Sequence, residues 1–434
     1  MVLTATALAP RRALDRVGPL RRFVHRVDAV SLGDHTSLRD GLLTVGAAAA
    51  EGCFAGPALA RVRISLVSPG ESARIVKVLD AVEPRTKGRG GGGIFPGLLG
   101  RLAVQGRGPL HVLRGAAVVT AGHLPRAQEA VVDMSGPAAP LSPLAALHCV
   151  VVEFEPAPGA AWEAVGDTLR IGALRLAAHL AEAALDEVPT VVVELPPTSL
   201  QRDPGDELPR VVAITRLQCQ GAFKDVFVYG ASMAGGLAVC LDPNELEDGA
   251  VVSGQYGHPG LKNPTYLFQN HPVLRALRAR DAVDLRLAGV VLAPEPVEQA
   301  RKELVAAHCA RLCAALGADA AIVTKEGAGN ADADLALTMD GLEALGITAV
   351  GLFAEMAGAD GSGPPLVVSP ERATAVISTG NYDEPLRLPA VERALGGAEL
   401  SLAGTAAGAA LEVPTAVVYG SLSPLGWGRL RAAP

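Results

Sequence analysis

Between Asp248 and Tyr266 the chain reads Asp-Gly-Ala-Val-Val-Ser-Gly-Gln-Tyr-Gly-His-Pro-Gly-Leu-Lys-Asn-Pro-Thr-Tyr, a short stretch dense in reactive and polar side chains. Ser253 offers a hydroxyl on Cβ for an N-to-O acyl shift at the Val252–Ser253 bond, with His258 as proton acceptor. The phenol of Tyr256 is separated from its Cβ by a ring and offers no such shift. Tyr256, Tyr266 and Phe268 also group aromatics in a chain that is only 3% aromatic. Aromatic faces hold quaternary ammonium ions by cation–π attraction, so these residues, with Asn263, are candidates for binding an amine. The other reading of Tyr256 is packing within a degenerate loop.

A second candidate is Lys325-Glu326-Gly327-Ala328-Gly329-Asn330, which follows an apolar strand and precedes a helix. Ligands of open α/β sheets bind at the carboxyl ends of the strands. Glu326 is placed there to act as a base or to pair with a cation, and Asn330 to bond a carboxylate. The alternative is an exposed turn before a helix capped by Asp332. His258 and Glu326 are the catalytic candidates of this reading.

Several stretches along the chain carry a resemblance in their order and spacing: Ser68-Pro-Gly-Glu-Ser72, Glu83-Pro-Arg85, Gly91-Gly-Gly-Ile-Phe-Pro-Gly97, His111 to Val119, Asp133-Met-Ser-Gly-Pro137, Leu217-Gln-Cys-Gln-Gly221 and Asn263-Pro-Thr-Tyr266. From about Val27 to about Trp427 the chain resembles the proprotein subunit of component B of the glycine, sarcosine and betaine reductases, a family related to the D-proline reductase proprotein. The resemblance implies a precursor that cuts itself before an internal cysteine and leaves a pyruvoyl group, whose ketone forms a Schiff base with a substrate amine. It also implies a companion component B subunit whose selenol or thiol attacks the substrate. Asp133 becomes a candidate substrate-binding residue on this ground alone.

The sequence departs from that pattern where the cysteine belongs. Tyr256 stands there, and Gly260, where relatives carry a second cysteine, has no thiol. The expectation is one uncut chain with no pyruvoyl and no other cofactor. It would bind a small amine, amino-acid-derived or quaternary, in a hetero-oligomer whose partner performs reductive C–N cleavage. The alternative is a non-catalytic scaffold or specificity subunit that stabilises the partner.

Composition narrows the field. The chain has 434 residues and a net charge of −7, which argues against nucleic acid as a partner. No apolar run approaches the roughly 20 residues of a membrane span, and a cytoplasmic protein is expected. Arg11, Arg12, Arg16, Arg21, Arg22 and Arg26 make residues 1–26 a basic N-terminal extension. Six cysteines show no CxxC pair; Cys309 and Cys313, one helical turn apart beside His308, are either core thiols or a redox or metal pair. The glycine-rich stretch from Gly88 to Gly100 lacks the Lys-Ser/Thr ending of a phosphate loop and reads as a tight turn.

The elements that must position these groups follow from periodicity. Short β-rich runs lie at 60–67, 75–79, 110–113 and 116–121, then strands at 150–154 and 190–195 flank a helix at 168–185, with more strands at 211–215 and 226–229. Beyond the segment at 251–270, strands at 287–292, 320–324, 349–353, 366–368 and 375–378 alternate with helices at 296–316 and 334–345. This predicts an α/β protein: an N-terminal region over 27–250 that starts β-rich and continues as α/β, then a doubly wound α/β domain over 271–434.

Overall fold

The computed structural model describes residues 18–199, 202, 205–220, 223–373, 375–428 and 430–432. A mixed seven-stranded sheet dominates the second half. Its order is Val239–Leu241, Arg286–Glu295, Arg210–Gln218, Ala320–Thr324, Thr348–Glu355, Ala375–Asn381 and Arg431–Ala432. The inner pairings are parallel and the two edge strands antiparallel. Parallel neighbours require crossover connections, and helices Gln299–Ala315 and Asn330–Glu343 supply them.

Both faces of this sheet are covered. Val212, Ile214, Val291 and Val323 pack with Val305, Cys309 and Cys313 of one helix and with Leu335 and Met339 of the other. Cys309 and Cys313 are therefore core thiols facing the sheet. Alternate residues of the same strands, Val211, Ala213 and Leu292, face Val273, Leu274 and Leu277 of helix Pro272–Arg280. This alternation is the strand period of two, and a strand buried on both sides carries apolar residues throughout.

The sheet does not respect the expected division of the chain. Its central strand, Arg210–Gln218, and an edge strand, Val239–Leu241, come from before the 251–270 segment, so the α/β unit is not confined to 271–434. In the other direction, Arg393–Leu395 pairs in parallel with Ala73–Val76. Local periodicity reveals a strand but not which sheet receives it.

The N-terminal part is β-rich. One sheet runs Leu59–Val67, His148–Pro156, Ala116–Ala121, Val78–Val82, and another runs Val191–Leu195, Leu20–Arg26, Gly108–Arg114, Arg85–Thr86. Helix Trp162–Glu182 closes their shared core through Val165, Leu169 and Leu176. Leu20–Arg26 thus lies between two strands, although residues 1–26 read as a basic extension; Leu20 and His25 are buried in it while Arg21 and Arg26 are exposed. Arg11, Arg12 and Arg16 lie outside the described residues.

Two further expectations change. Residues 366–368 form no strand. Asp332 does not cap its helix, which begins at Asn330 after Gly329; the Asp332 carboxylate instead pairs with Lys325 and accepts the Val367 N–H at 2.9 Å. The Gly88–Gly100 stretch is a docking turn: the N–H groups of Gly90 and Gly91 donate to Glu182 at 2.8 and 3.1 Å. At Gly97, with φ of 80°, a Cβ would sit 2.1 Å from the Tyr229 carbonyl oxygen, so only glycine fits.

A buried arginine of the N-terminal part holds both its own ion pair and three carbonyls of the C-terminal part. Arg74 donates to Asp133 at 2.6 and 2.9 Å and to the carbonyls of Pro389, Ala407 and Ala409. Both side chains are fully buried. Arg74→Met leaves the Asp133 carboxylate alone in the core, and urea unfolding is expected to register a loss of about 3–5 kcal/mol. A loss below about 1 kcal/mol would show that water reaches the pair.

Candidate functional site

The carboxyl ends of three parallel strands deliver Gln218, Glu295 and the Lys325-Glu326 pair to one buried edge. Glu326 ties this edge together. Its carboxylate accepts the Gln218 N–H and the Asn263 N–H, both at 2.9 Å, while its own N–H donates to Glu295 at 3.0 Å. The loop at 325–330 and the segment at 251–270 therefore meet through one side chain. Burial outweighs the two N–H donors and pushes the Glu326 carboxyl up to about 7.

The segment leaves strand Val251–Ser253, which pairs with Val226–Val228, and enters the short helix Thr265–Gln269. Pro264 precedes that helix and provides no side-chain cap. Asp80, from strand Val78–Val82, takes over: its carboxylate accepts the Thr265 N–H at 2.9 Å and the Thr265 hydroxyl at 2.7 Å. Burial raises the Asp80 carboxyl to about 6.

Lys262 lies between these two acids. Its ammonium group donates to the Leu79 carbonyl at 2.5 Å and lies 4.5 Å from the Tyr419 ring centre and 5.6 Å from that of Tyr256. Burial pushes the lysine down to about 7, against the pull of Asp80 and Glu326. Tyr256 is buried, stacks on Phe223 at 5.8 Å and bonds through its backbone to Phe223 and Gln128. Its phenol is pushed up to about 12 by burial. The tyrosine faces at this site hold the chain's own cation.

The predicted residues separate into groups. Tyr256, Asn263 and Glu326 surround Lys262. His258 is half-buried nearby, with φ of 48° and its N–H bonded to Gln128; burial and the cations of Lys224 and Lys325 push its ring down to about 4. It is a neutral imidazole at neutral pH. Ser253 donates its N–H to the Thr265 hydroxyl at 2.9 Å, and its own hydroxyl accepts the Gln255 N–H at 3.3 Å.

Tyr266 and Phe268 do not join Tyr256 in an aromatic cage. Helix Thr265–Gln269 turns them into the core beneath the large sheet, whereas Tyr256 packs with the N-terminal core. Asn330 is exposed at the start of its helix. Asp133 has both oxygens occupied by Arg74 and makes no contact with the Lys262 group among the described residues.

Lys262, Asp80 and Tyr419 were not predicted. Lys262 lies inside the segment beside Asn263, but nothing in its neighbours signals burial, and Asp80 and Tyr419 reach it only through tertiary packing. Gly260 packs as backbone: it donates to Ala416 at 2.8 Å, accepts from Leu422 at 2.9 Å, and a Cβ there would meet the Ala416 Cα at 2.8 Å.

Residues 20–431 match the family described as glycine/sarcosine/betaine reductase component B subunits. The chain is 35% identical over 380 residues to "Glycine reductase complex component B subunits alpha and beta" of Peptoclostridium acidaminophilum, covering 86% of this chain and 89% of that protein. It is 32% identical over 415 residues to the protein of the same description from Acetoanaerobium sticklandii, covering 93% and 96%. A "Sarcosine reductase complex component B subunit alpha" of Peptoclostridium acidaminophilum is 33% identical over 370 residues, covering 85% and 86%. No solved structure matches.

The lowered lysine gives a pH signature. Between about 7 and its ordinary value of 10.5, the unfolded amine binds a proton that the folded one does not. Stability from this group therefore rises with pH across that window, and the penalty is complete below 7. Lys262→Met is expected to remove that rise, a slope on the order of 1.4 kcal/mol per pH unit, when unfolding is followed from pH 7 to 10. An unchanged slope would mean that the amine is solvated.

Proposed function

The chain belongs to the family of glycine/sarcosine/betaine reductase component B subunits, and from that membership we propose that it works as an uncut, substrate-binding subunit of a component B-like complex. The observation that carries this reading is Tyr256 itself. An acyl shift requires a hydroxyl or thiol on Cβ, and elimination requires that same group to leave. A phenol across a ring does neither, and this one is stacked on Phe223 in the core. Tyr256 does not fit a pyruvoyl group.

In this reading a small amine, amino-acid-derived or quaternary, binds near 253–266 and 326–330, where Glu326 joins the segment to the sheet edge. Glu326, held near neutrality by burial, supplies or accepts a proton. Reductive C–N cleavage falls to a companion subunit with a reactive selenol or thiol. This chain's own cysteines at the core, Cys149, Cys309 and Cys313, have thiols pushed up by burial and are poor nucleophiles. No helix among the described residues is long and apolar enough to cross a membrane, and we place the complex in the cytoplasm.

A scaffold role is the second reading, favoured by the complete burial of Tyr256, Asn263 and Glu326. Intact-mass measurement with and without a carbonyl-trapping hydrazine tests the uncut state. One unmodified species of 44.3 kDa is expected. Two fragments with a trapped ketone would overturn it and point to Ser253. Equilibrium binding of glycine, sarcosine and betaine to the assembled complex separates the readings: the substrate-binding role predicts saturable binding weakened at least tenfold by Glu326→Ala, the scaffold role none.

A further inference from the structure

The Glu83-Pro-Arg85 stretch lies outside the group around Lys262 and instead forms the base of a cluster of five arginines. Glu83 and Arg85 are fully buried, and Arg85 bonds Glu83 at 2.5 Å and Glu247 at 2.8 Å. Arg22 takes the other oxygen of Glu247 at 3.0 Å, and Arg114 the other oxygen of Glu83 at 3.1 Å. Three guanidiniums thus use all four carboxylate oxygens. Arg275 and Arg278, one turn apart on helix Pro272–Arg280, complete the cluster and find no carboxylate at ion-pair distance among the described residues. Arg275 donates to the side-chain oxygen of Asn270 and Arg278 to that of Asn244, and both acceptors are neutral. Asp242 and Asp281 attract Arg278 from farther away, but each already serves as a backbone acceptor, Asp242 for the N–H groups of Thr198 and Asn244 and Asp281 for that of Leu287.

Burial disfavours both helix guanidiniums; Arg114 adds its repulsion at Arg275, and Arg22 adds its own at Arg278. An arginine does not relieve such crowding by losing its proton, so the positive charge stays. A half-buried excess of one sign is unfavourable until an anion meets it. The chain as a whole carries a net charge of −7, so this excess is local. The cluster also opens to solvent: Arg275 and Arg278 are half-buried, and the Arg114 side chain is 36% exposed. The hollow beside them, lined by Pro243, Glu247, His271, Arg275 and Arg278, measures about 10 Å³ and admits a water at most. It gives a small molecule no pocket to enter. A carboxylate laid on the face needs none, because a guanidinium fork offers it two parallel N–H groups.

We infer that the outer face of helix Pro272–Arg280, with Arg114 and Arg22 beside it, is a docking surface for an acidic segment of a partner protein, which presents two carboxylates about 5–6 Å apart to Arg275 and Arg278. Glu83, Glu247 and Arg85 form the rigid base, since their charges are satisfied among themselves and with Arg22 and Arg114. The docked carboxylates supply the two anions that the cluster lacks. Such a surface fixes register and speeds encounter with an acidic partner while repelling a basic one. The inference goes beyond the substrate-binding reading and stands whether the chain binds an amine or serves as a scaffold.

The test is equilibrium binding of a fluorescein-labelled octaglutamate peptide to the full chain, read by anisotropy, with octalysine alongside. Saturable binding of the acidic peptide alone is expected, weakening as salt rises from about 0.05 to 0.5 M. Arg275→Gln combined with Arg278→Gln is expected to weaken it about tenfold, whereas Arg61→Gln combined with Arg387→Gln, at exposed arginines paired elsewhere with Glu155 and Glu412, leaves it within about twofold. Equal losses in the two double variants, or no loss in the first, overturn the inference. Displacement of the peptide by inorganic phosphate at equal concentration would reveal a small-anion site and overturn the docking role. On the wild-type chain, amide exchange over 272–280 is expected to slow when the peptide binds while helix Gln299–Ala315 is unchanged, so the outcome does not depend on whether the variants fold. Slowing confined to other regions overturns it. Binding of glycine, sarcosine and betaine is measured without the peptide, so failure here leaves the substrate-binding reading untouched.

Discussion

The Glu326 carboxylate accepts one N–H from the end of strand Arg210–Gln218 and one from Asn263, and the placement of everything else at the site depends on that pair of bonds. Both donors are backbone N–H groups, and a carboxylate is a strong acceptor able to take two of them. Its burial then makes the acid hard to ionise. The same side chain joins a sheet edge to a distant segment and holds a proton near neutrality, so structure and chemistry cannot be separated at this position.

Buried charge is handled in two ways around this edge. Arg216 and Lys302 converge on Asp334, and Lys325 pairs with Asp332, so those cations are neutralised in place. Among the described residues, Lys262 meets a carbonyl and two aromatic faces and no carboxylate at ion-pair distance. Ion pairs maintain charge in a core, whereas an unpaired amine is pushed towards neutrality.

The segment is anchored in the middle of the fold from three sides. Strand Val251–Ser253, the cap that Asp80 supplies to helix Thr265–Gln269 and the bonds of Gly260 to Ala416 and Leu422 all hold the segment in the middle of the fold. Tyr256 stacks on Phe223, and the same ring flanks the neighbouring lysine.

Read alone, the sequence established the family resemblance, the alternation of strands and helices in the second half, and the absence of a Cβ heteroatom at Tyr256. These are local properties: side-chain chemistry, period-two and period-3.6 patterns, and turn residues close in sequence. It also placed the Lys325–Asn330 loop at a strand end. Tertiary structure alone decided that strand Arg210–Gln218 belongs at the centre of the later sheet, that Leu20–Arg26 is a strand, and that Asp133 is committed to Arg74. It alone brought Asp80, Lys262, Glu326 and Tyr419 together, because burial and pairing are set by partners far apart in the sequence, such as Leu79, 183 residues from Lys262.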